Sequence, residues 1–381
     1  MNYNIWNKWD TLETCMVGNN YFPEFFDGVD PKAGDPLKRI CEETLEDIDN
    51  FKDILKQFGV TIIQPTMDPA QRFLDNPSEV PRGPLQPRDH FLVLGNDCYI
   101  TGNDHPAIYE RLCRYGKVID IRLPADKPTP LDENFYNKIK GEDFPCYDDF
   151  VENRLNEDFF LPSVWDELVN DFKIGTACSS ANSMMIGKKF FIGKDSDIPF
   201  PYSVDELNTF GTGFSEFDIE FVDLDGHVDG NFHPIKPGAI LSLYDIDLYK
   251  NNFPGWDVCY LPDQSWNNLE PFLELKKQNQ GKWWLAGEED NSIFTNFVET
   301  WLSDWVGYVE ETVFDVNVLM LDEHHCCVTN IKNEQVNSFF KKHKVEPVYV
   351  PWRHRFFWDG GLHCITLDLK RKGTQKEYLN G

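Results

Sequence analysis

Residues 91–101 read Phe91-Leu92-Val93-Leu94-Gly95-Asn96-Asp97-Cys98-Tyr99-Ile100-Thr101: two apolar runs, Phe91–Leu94 and Cys98–Thr101, around a Gly-Asn-Asp turn. Short apolar runs bounded by turn residues predict a β-hairpin. The pattern returns three times. Met184–Ile186 and Phe190–Ile192 flank Gly187-Lys188-Lys189, Phe232–Ile235 and Ala239–Leu243 flank Lys236-Pro237-Gly238, and Val316–Leu321 and Cys326–Thr329 flank Asp322–His325. A fifth run, Ile365–Leu369, closes the chain singly. Identity between the units is poor, so the repetition is one of shape.

Helical patterns lie between these runs. Leu37, Ile40, Leu45, Ile48, Phe51, Ile54, Leu55 and Phe58 fall mostly at helical spacing, which predicts a helix over 36–58. Gly59 stops it, and Val60–Ile63 reads as a buried strand. Val336–His343 followed by Glu346–Val350 repeats that helix-to-strand step. The expected architecture is α/β, with strand pairs and helices repeated about five times. No compositional break or Gly/Ser linker divides the chain, so residues 1–381 are read as a single domain. The acidic, aromatic stretch Asp132–Asp171 is the least regular part and is read as surface loops and short helices.

Of the 381 residues, 41% are hydrophobic and 14% aromatic, enough for a sizeable core and too much for a disordered chain. The net charge of −28, with no Lys/Arg stripe, argues against nucleic acid and against anionic membrane surfaces. The charge serves solubility first and attracts cationic ligands second. No run approaches about 18 apolar residues, so no membrane span is expected. The opening MNYNIWNKWD is not a secretory signal, and the ten cysteines form no CxxC pair. Free thiols in a reducing, cytoplasmic setting are the simplest reading.

Polar residues collect just before the hairpins: Asp89, then Asn182, then His227 and Asp229, and finally His363 and Cys364 behind Gly360-Gly361. If the units surround an axis, these strand starts converge. His227 and Asp229 are two apart, so on an extended strand their side chains share a face. A cysteine nucleophile with a histidine proton carrier, and two carboxylates able to grip a planar cation, suit attack at a guanidinium carbon. They suit acyl transfer less, because carboxylates oppose an oxyanion. Each residue also has a plain alternative. A lone cysteine in an apolar strand is usually packing, and His227 with the acids Asp223, Asp225 and Asp229 can form a solvated surface. His324-His325-Cys326-Cys327 suggests a metal, but alternation along a strand lets at most two of them share a site, and no second ligand pair follows. Turn and core are the expected roles there, with no metal.

Taken in order, Pro87-Arg88-Asp89, His227-Val228-Asp229 with Pro237-Gly238, Asn317-Val318-Leu319-Met320-Leu321-Asp322-Glu323, Gly360-Gly361-Leu362-His363-Cys364-Ile365-Thr366 and Arg371-Lys372-Gly373-Thr374 are specific as a set. From Trp9-Asp10 to nearly the end, the sequence resembles the glycine and inosamine-phosphate amidinotransferases of the guanidino-group-modifying superfamily. The resemblance implies a five-bladed, pseudo-symmetric α/β-propeller, the pentein fold, with ββαβ units around a central site. It implies Cys364 as nucleophile, His227 as acid/base, and Asp89 and Asp229 as guanidinium ligands, with Ser179, Asn182, Gly360 and Gly361 completing the substrate-binding set. No metal or organic cofactor is required. The expected partners are small molecules, an arginine donor and an amine acceptor (glycine by default), and a homodimer is compatible with the sequence.

Two departures stand out. Where the family usually has an Asp partnering the histidine, the matching stretch reads Ser179-Ser180-Ala181-Asn182. A serine orients imidazole but does not stabilise imidazolium as a carboxylate does. Phe356-Phe357-Trp358-Asp359 stands where small or polar residues are usual, and either reshapes the pocket or packs beneath it. The alternatives are an arginine deiminase or dihydrolase of the same superfamily, and an inactive guanidinium-binding module.

Overall fold

The computed structural model describes residues 2–77, 80–102, 105–121, 178–194, 203–209, 212–223, 227–243, 251–261, 284–303, 305–306 and 315–379. The Asp132–Asp171 stretch and Asp225 lie outside them.

The hairpin at 91–101 is present as β3 (Phe91–Leu94) and β4 (Asp97–Ile100), antiparallel, with β5 (Val118–Asp120) parallel to β4. The same plan recurs in β6 (Ser183–Ile186), β7 (Lys189–Lys194) and β8 (Asp218–Asp223), in β9 (Phe232–Lys236), β10 (Ala239–Ser242) and β11 (Asp257–Tyr260), and in β12 (Leu319–Asp322), β13 (His325–Val328) and β14 (Glu346–Tyr349). The fifth blade joins the two ends of the chain. Strand β1 (Leu12–Val17) pairs antiparallel with β15 (Thr366–Arg371) and parallel with β2 (Thr61–Ile63). The single run near the C-terminus thus finds its hairpin partner about 350 residues upstream in sequence. Five three-stranded sheets with one plan make a five-bladed α/β-propeller.

Parallel neighbours need a crossover, and helices supply it. α1 (Pro31–Gln57) joins β1 to β2, α2 (Pro106–Tyr115) joins β4 to β5, α3 (Val204–Thr209) lies between β7 and β8, α4 (Ser292–Trp301) precedes the last full blade, and α5 (Glu334–His343) joins β13 to β14. Turn chemistry is local. Gly95, Gly187 and Gly238 take φ of 59°, 63° and 83° at three hairpin turns, a region that favours glycine. The fourth turn is tied by Asp322 Oδ1, which accepts from the amides of His324 at 2.7 Å and His325 at 2.9 Å.

α1 begins five residues before the expected start. Asp30-Pro31 and Asp35-Pro36 both look like a cap followed by Pro at the first helical position. The earlier pair wins: Asp30 accepts from the Lys32 amide at 2.9 Å. Pro36 is carried inside the first turns. The helix ends at Gln57, and Gly59, just past the Phe58 cap, takes a φ of 78°. Its buried face fixes the segment that leads to Cys364. Thr44 Oγ1 accepts from Trp358 Nε1 at 2.7 Å, Asp47 accepts from Arg353 Nε at 2.9 Å, and Glu43 meets His354 at 2.7 Å.

The hairpin strands are buried on both faces, which explains why they read as continuous apolar runs rather than alternating ones. In β1, Cys15 and Val17 join the apolar cluster beneath α1, while Met16 joins Leu367, Phe91 and Tyr99 on the other side. Phe357 and Trp358 belong to the cluster beneath α1, and Trp358 stacks on Trp305 at 5.9 Å. Packing is therefore the role of these two aromatics. No disulfide joins the cysteines among the described residues. Among those residues, too, no helix is long and apolar enough to cross a membrane.

Candidate active site

Each blade delivers one segment immediately ahead of its first strand, and backbone hydrogen bonds stitch these segments together. Ala181 N donates to Arg88 O at 3.3 Å, and Ser180 N to Phe91 O at 2.9 Å. Asp229 N in turn donates to Ala181 O at 3.1 Å. Segments 86–91, 178–182 and 227–231 are thereby consecutive. The circuit continues through Asn317, whose Nδ2 lies 3.4 Å from Asp229 O and whose Oδ1 accepts from the amides of His363 at 3.1 Å and Cys364 at 3.2 Å. It closes through Gln86, whose Nε2 donates to Trp358 O at 3.0 Å and Asp359 O at 2.7 Å.

Cys364 sits in this ring. Its sulfur accepts from Asn317 Nδ2 at 3.0 Å and lies 3.9 Å from Asp229 Oδ2. That same oxygen takes the Nδ1 proton of His363 at 2.6 Å, and Arg88 Nε lies 4.0 Å away. Asp229, His363 and Cys364 are all buried. Asp89 is half-buried, and its Oδ1 is buried without a hydrogen-bond partner among the described residues. A buried carboxylate oxygen in that state calls for a cationic ligand or water.

His227 and Asp229 do not lie on a strand. Val228–Asn231 is a single helical turn with His227 as its N-cap, and Asn231 Nδ2 donates to His227 O at 2.7 Å. The expectation that the two side chains share a face through strand alternation is therefore wrong. Asp229 is buried and His227 half-buried. His227 lies close enough to His90, next to Asp89, to contribute to lowering its proton affinity, after burial.

Ser179 is fully buried; its Oγ accepts from the Asn182 amide at 3.3 Å, while its carbonyl accepts from Ser183 Oγ at 2.7 Å. Asn182 Nδ2 donates to Gly193 O at 2.9 Å. Both brace the bend that carries Ala181. Gly360 and Gly361 have no positive φ. They are needed for room: a Cβ on Gly360 would collide with Gln86 Nε2, and one on Gly361 would lie 2.5 Å from Asn317 Oδ1.

No protein-family model matches the chain. It is 24% identical over 410 residues to the mitochondrial glycine amidinotransferase of Xenopus tropicalis, covering 98% of this chain and 84% of that one. It is 21% identical over 402 residues to L-arginine:L-lysine amidinotransferase of Pseudomonas savastanoi pv. phaseolicola, covering 98% and 96%. Among solved structures, SxtG, an amidinotransferase of Microseira wollei in the saxitoxin biosynthetic pathway, matches with a TM-score of 0.63 at 19% identity over 100% of both chains. Inosamine-phosphate amidinotransferase of Streptomyces griseus matches with a TM-score of 0.58 at 16% identity over 99% of each. The chain is thus similar along nearly its whole length to proteins named as amidinotransferases.

A dense buried network lies behind the sulfur. Arg88 donates to His363 O at 2.7 Å and to Asp368 Oδ1 at 3.3 Å, and Arg371 Nε donates to Asp368 Oδ2 at 2.9 Å. Burial alone would raise the Asp368 carboxyl, but Arg371, Lys8 and Arg88 hold it well below the usual carboxylate range. Burial, then Arg88, lowers Lys8 to about 7. Burial, then Lys8 and Arg88, lowers His233 to about 3. Burial, then Arg88 and His233, pushes His363 well below its ordinary value, so it meets Asp229 as a neutral Nδ1–H donor. The sequence reading missed Asn317 and Arg88 as site residues. Asn317 carried the available signal, since it stands just ahead of its blade's first strand like the others.

Proposed function

We propose that the chain moves an amidino group from L-arginine through an amidino-Cys364 intermediate to an amine, releasing ornithine. The observation that carries this reading is the Cys364 sulfur 3.9 Å from the Asp229 carboxylate, a nucleophile and an anionic anchor within reach of one small cation. Asp89 supplies the second anchor, and the net charge of −28 favours arrival of arginine. The guanidinium is held by charge-assisted hydrogen bonds to Asp89 and Asp229.

The Cys364 thiolate adds to the guanidinium carbon. As the bond from that carbon to the δ-nitrogen breaks, His227 gives its proton to the leaving amine and ornithine departs. An acceptor amine then loses a proton to His227 and attacks the amidino carbon, and the sulfur leaves as thiolate. Ser179 and Asn182 hold the bend beside the site, and Gly360 and Gly361 leave room for the groups that position the sulfur. The vertebrate relative is named for glycine and the bacterial one for lysine, so these two amines head the acceptor list. Glycine remains the default acceptor. A cytoplasmic location is part of the proposal, although the frog relative carries a mitochondrial name.

Guanidino-labelled arginine, incubated with and without a panel of amines, tests the reading. Ornithine beyond one equivalent per chain, and a labelled guanidino product, are expected only when an acceptor amine is present. Citrulline, or ornithine with ammonia, in the absence of any amine would move the chain to the hydrolases. Cys364→Ala is expected to abolish transfer, and wild-type rates in that variant would refute the nucleophile.

A further inference from the structure

The Asn317 carboxamide is oriented without ambiguity. An Asn oxygen and nitrogen are told apart by their partners. Here two backbone N–H groups, of His363 and Cys364, point at Oδ1 from 3.1 and 3.2 Å. The NH2 must then face the Cys364 sulfur at 3.0 Å and Asp229 O at 3.4 Å. A donor fixed on a sulfur favours the thiolate over the thiol. Asn317 is only 5% exposed, so water does not dilute the interaction.

Two further observations bear on it. Asp229 Oδ2, 3.9 Å from the sulfur, opposes the thiolate, and the Asn317 donor acts against that opposition. Gly361 is what lets the carboxamide sit there. A Cβ at 361 would come within 2.5 Å of Asn317 Oδ1 and 3.0 Å of Asn317 Cβ, and the Gly361 φ is one that any residue adopts.

We propose that Asn317 is a catalytic residue: its carboxamide donates to the Cys364 sulfur and holds it as thiolate against the Asp229 carboxylate. The proposal rests on the reading of Cys364 as nucleophile. The donor is released when the sulfur bonds to the amidino carbon and engages again when the acceptor amine expels the thiolate. No atom is transferred to or from Asn317.

The test is the pH dependence of Cys364 alkylation by iodoacetamide in the full chain, without arginine, read peptide by peptide by mass spectrometry. Asn317→Leu removes the donor. Asn317→Asp keeps the acceptor for the two amides, so it preserves the loop if the leucine variant does not fold. Gly361→Ala displaces the carboxamide without altering it. In each, the alkylation midpoint is expected to rise by about 1–2 pH units, the size of one lost charge-assisted hydrogen bond. A midpoint at the wild-type value in folded Asn317→Asp or Gly361→Ala overturns the proposal. With arginine and acceptor, the Asn317→Asp rate should recover as pH rises; a loss independent of pH means a packing role only and also overturns it. The alkylation arm uses no substrate, so a chain that fails to release ornithine would sink the transferase reading while leaving the Asn317 titration readable.

Discussion

Replacing Asp229 by Asn should make Cys364 more reactive and the enzyme less active. The Asp229 carboxylate lies 3.9 Å from the sulfur. Two unit charges about 4 Å apart interact by about 4 kcal/mol at an effective dielectric constant near 20, which corresponds to about 3 pH units. Arg88 Nε, 4.0 Å from the same oxygen, offsets part of that field. A net effect of about 1–2 units is the reasonable expectation. The sign follows from charge: a neighbouring anion makes a thiolate harder to form, so removing it lowers the midpoint. Asn retains an oxygen for the His363 Nδ1 proton, so the 2.6 Å bond keeps a partner. At neutral pH, Cys364 alkylation should speed up by about ten- to a hundredfold. Ornithine release from arginine should fall sharply, because the cation loses an anchor. General unfolding does not produce that pair of opposite changes with a cooperative thermal transition retained. Alkylation at the wild-type rate or slower, or arginine turnover undiminished, would refute the reasoning.

Ser179→Asp installs the carboxylate that the family resemblance implies at this position and is expected to preserve or raise turnover; a large loss would show that the serine has a role of its own. Lys8 provides a pH test of the buried network. Its proton affinity falls from 10.5 to about 7 on folding, so between those values the unfolded chain holds the extra proton. Its contribution is complete above 10.5 and is lost as the pH falls towards 7, at about 1.4 kcal/mol per unit. Lys8→Met should therefore raise Tm more at pH 7 than at pH 10, and equal gains at both would contradict the burial argument.

Four of the five hairpins were legible because their strands are buried on both faces and read as unbroken apolar runs. The third strand was legible in two blades, at Val60–Ile63 and Glu346–Val350, where it follows a helical pattern, and was missed in the other three. Val118–Asp120 and Asp257–Tyr260 are short, partly exposed and each carries an Asp at one end, so no pattern announces them. Strand β1 was invisible for another reason: its pairing with β15 is set by propeller closure, not by neighbours in sequence. Asp89, Asp229 and Cys364 were singled out by their places ahead of the strands and by resemblance, and the structure sets the Cys364 sulfur 3.9 Å from Asp229. The local geometry at 227–231 was not legible, because a four-residue helical turn leaves almost no periodicity to detect. Asn317 escaped because an Asn before a strand usually means a turn. Its meaning comes from the amides of His363 and Cys364, 46 and 47 residues away.

The most direct measurement is the mass of the Cys364 peptide after the full chain has met arginine with no acceptor amine. A gain of about 42 Da on that cysteine, erased when the acceptor is added, is what covalent amidino transfer predicts. An unmodified Cys364 while ornithine accumulates, or the same mass carried by the exposed Cys113 instead, would contradict it.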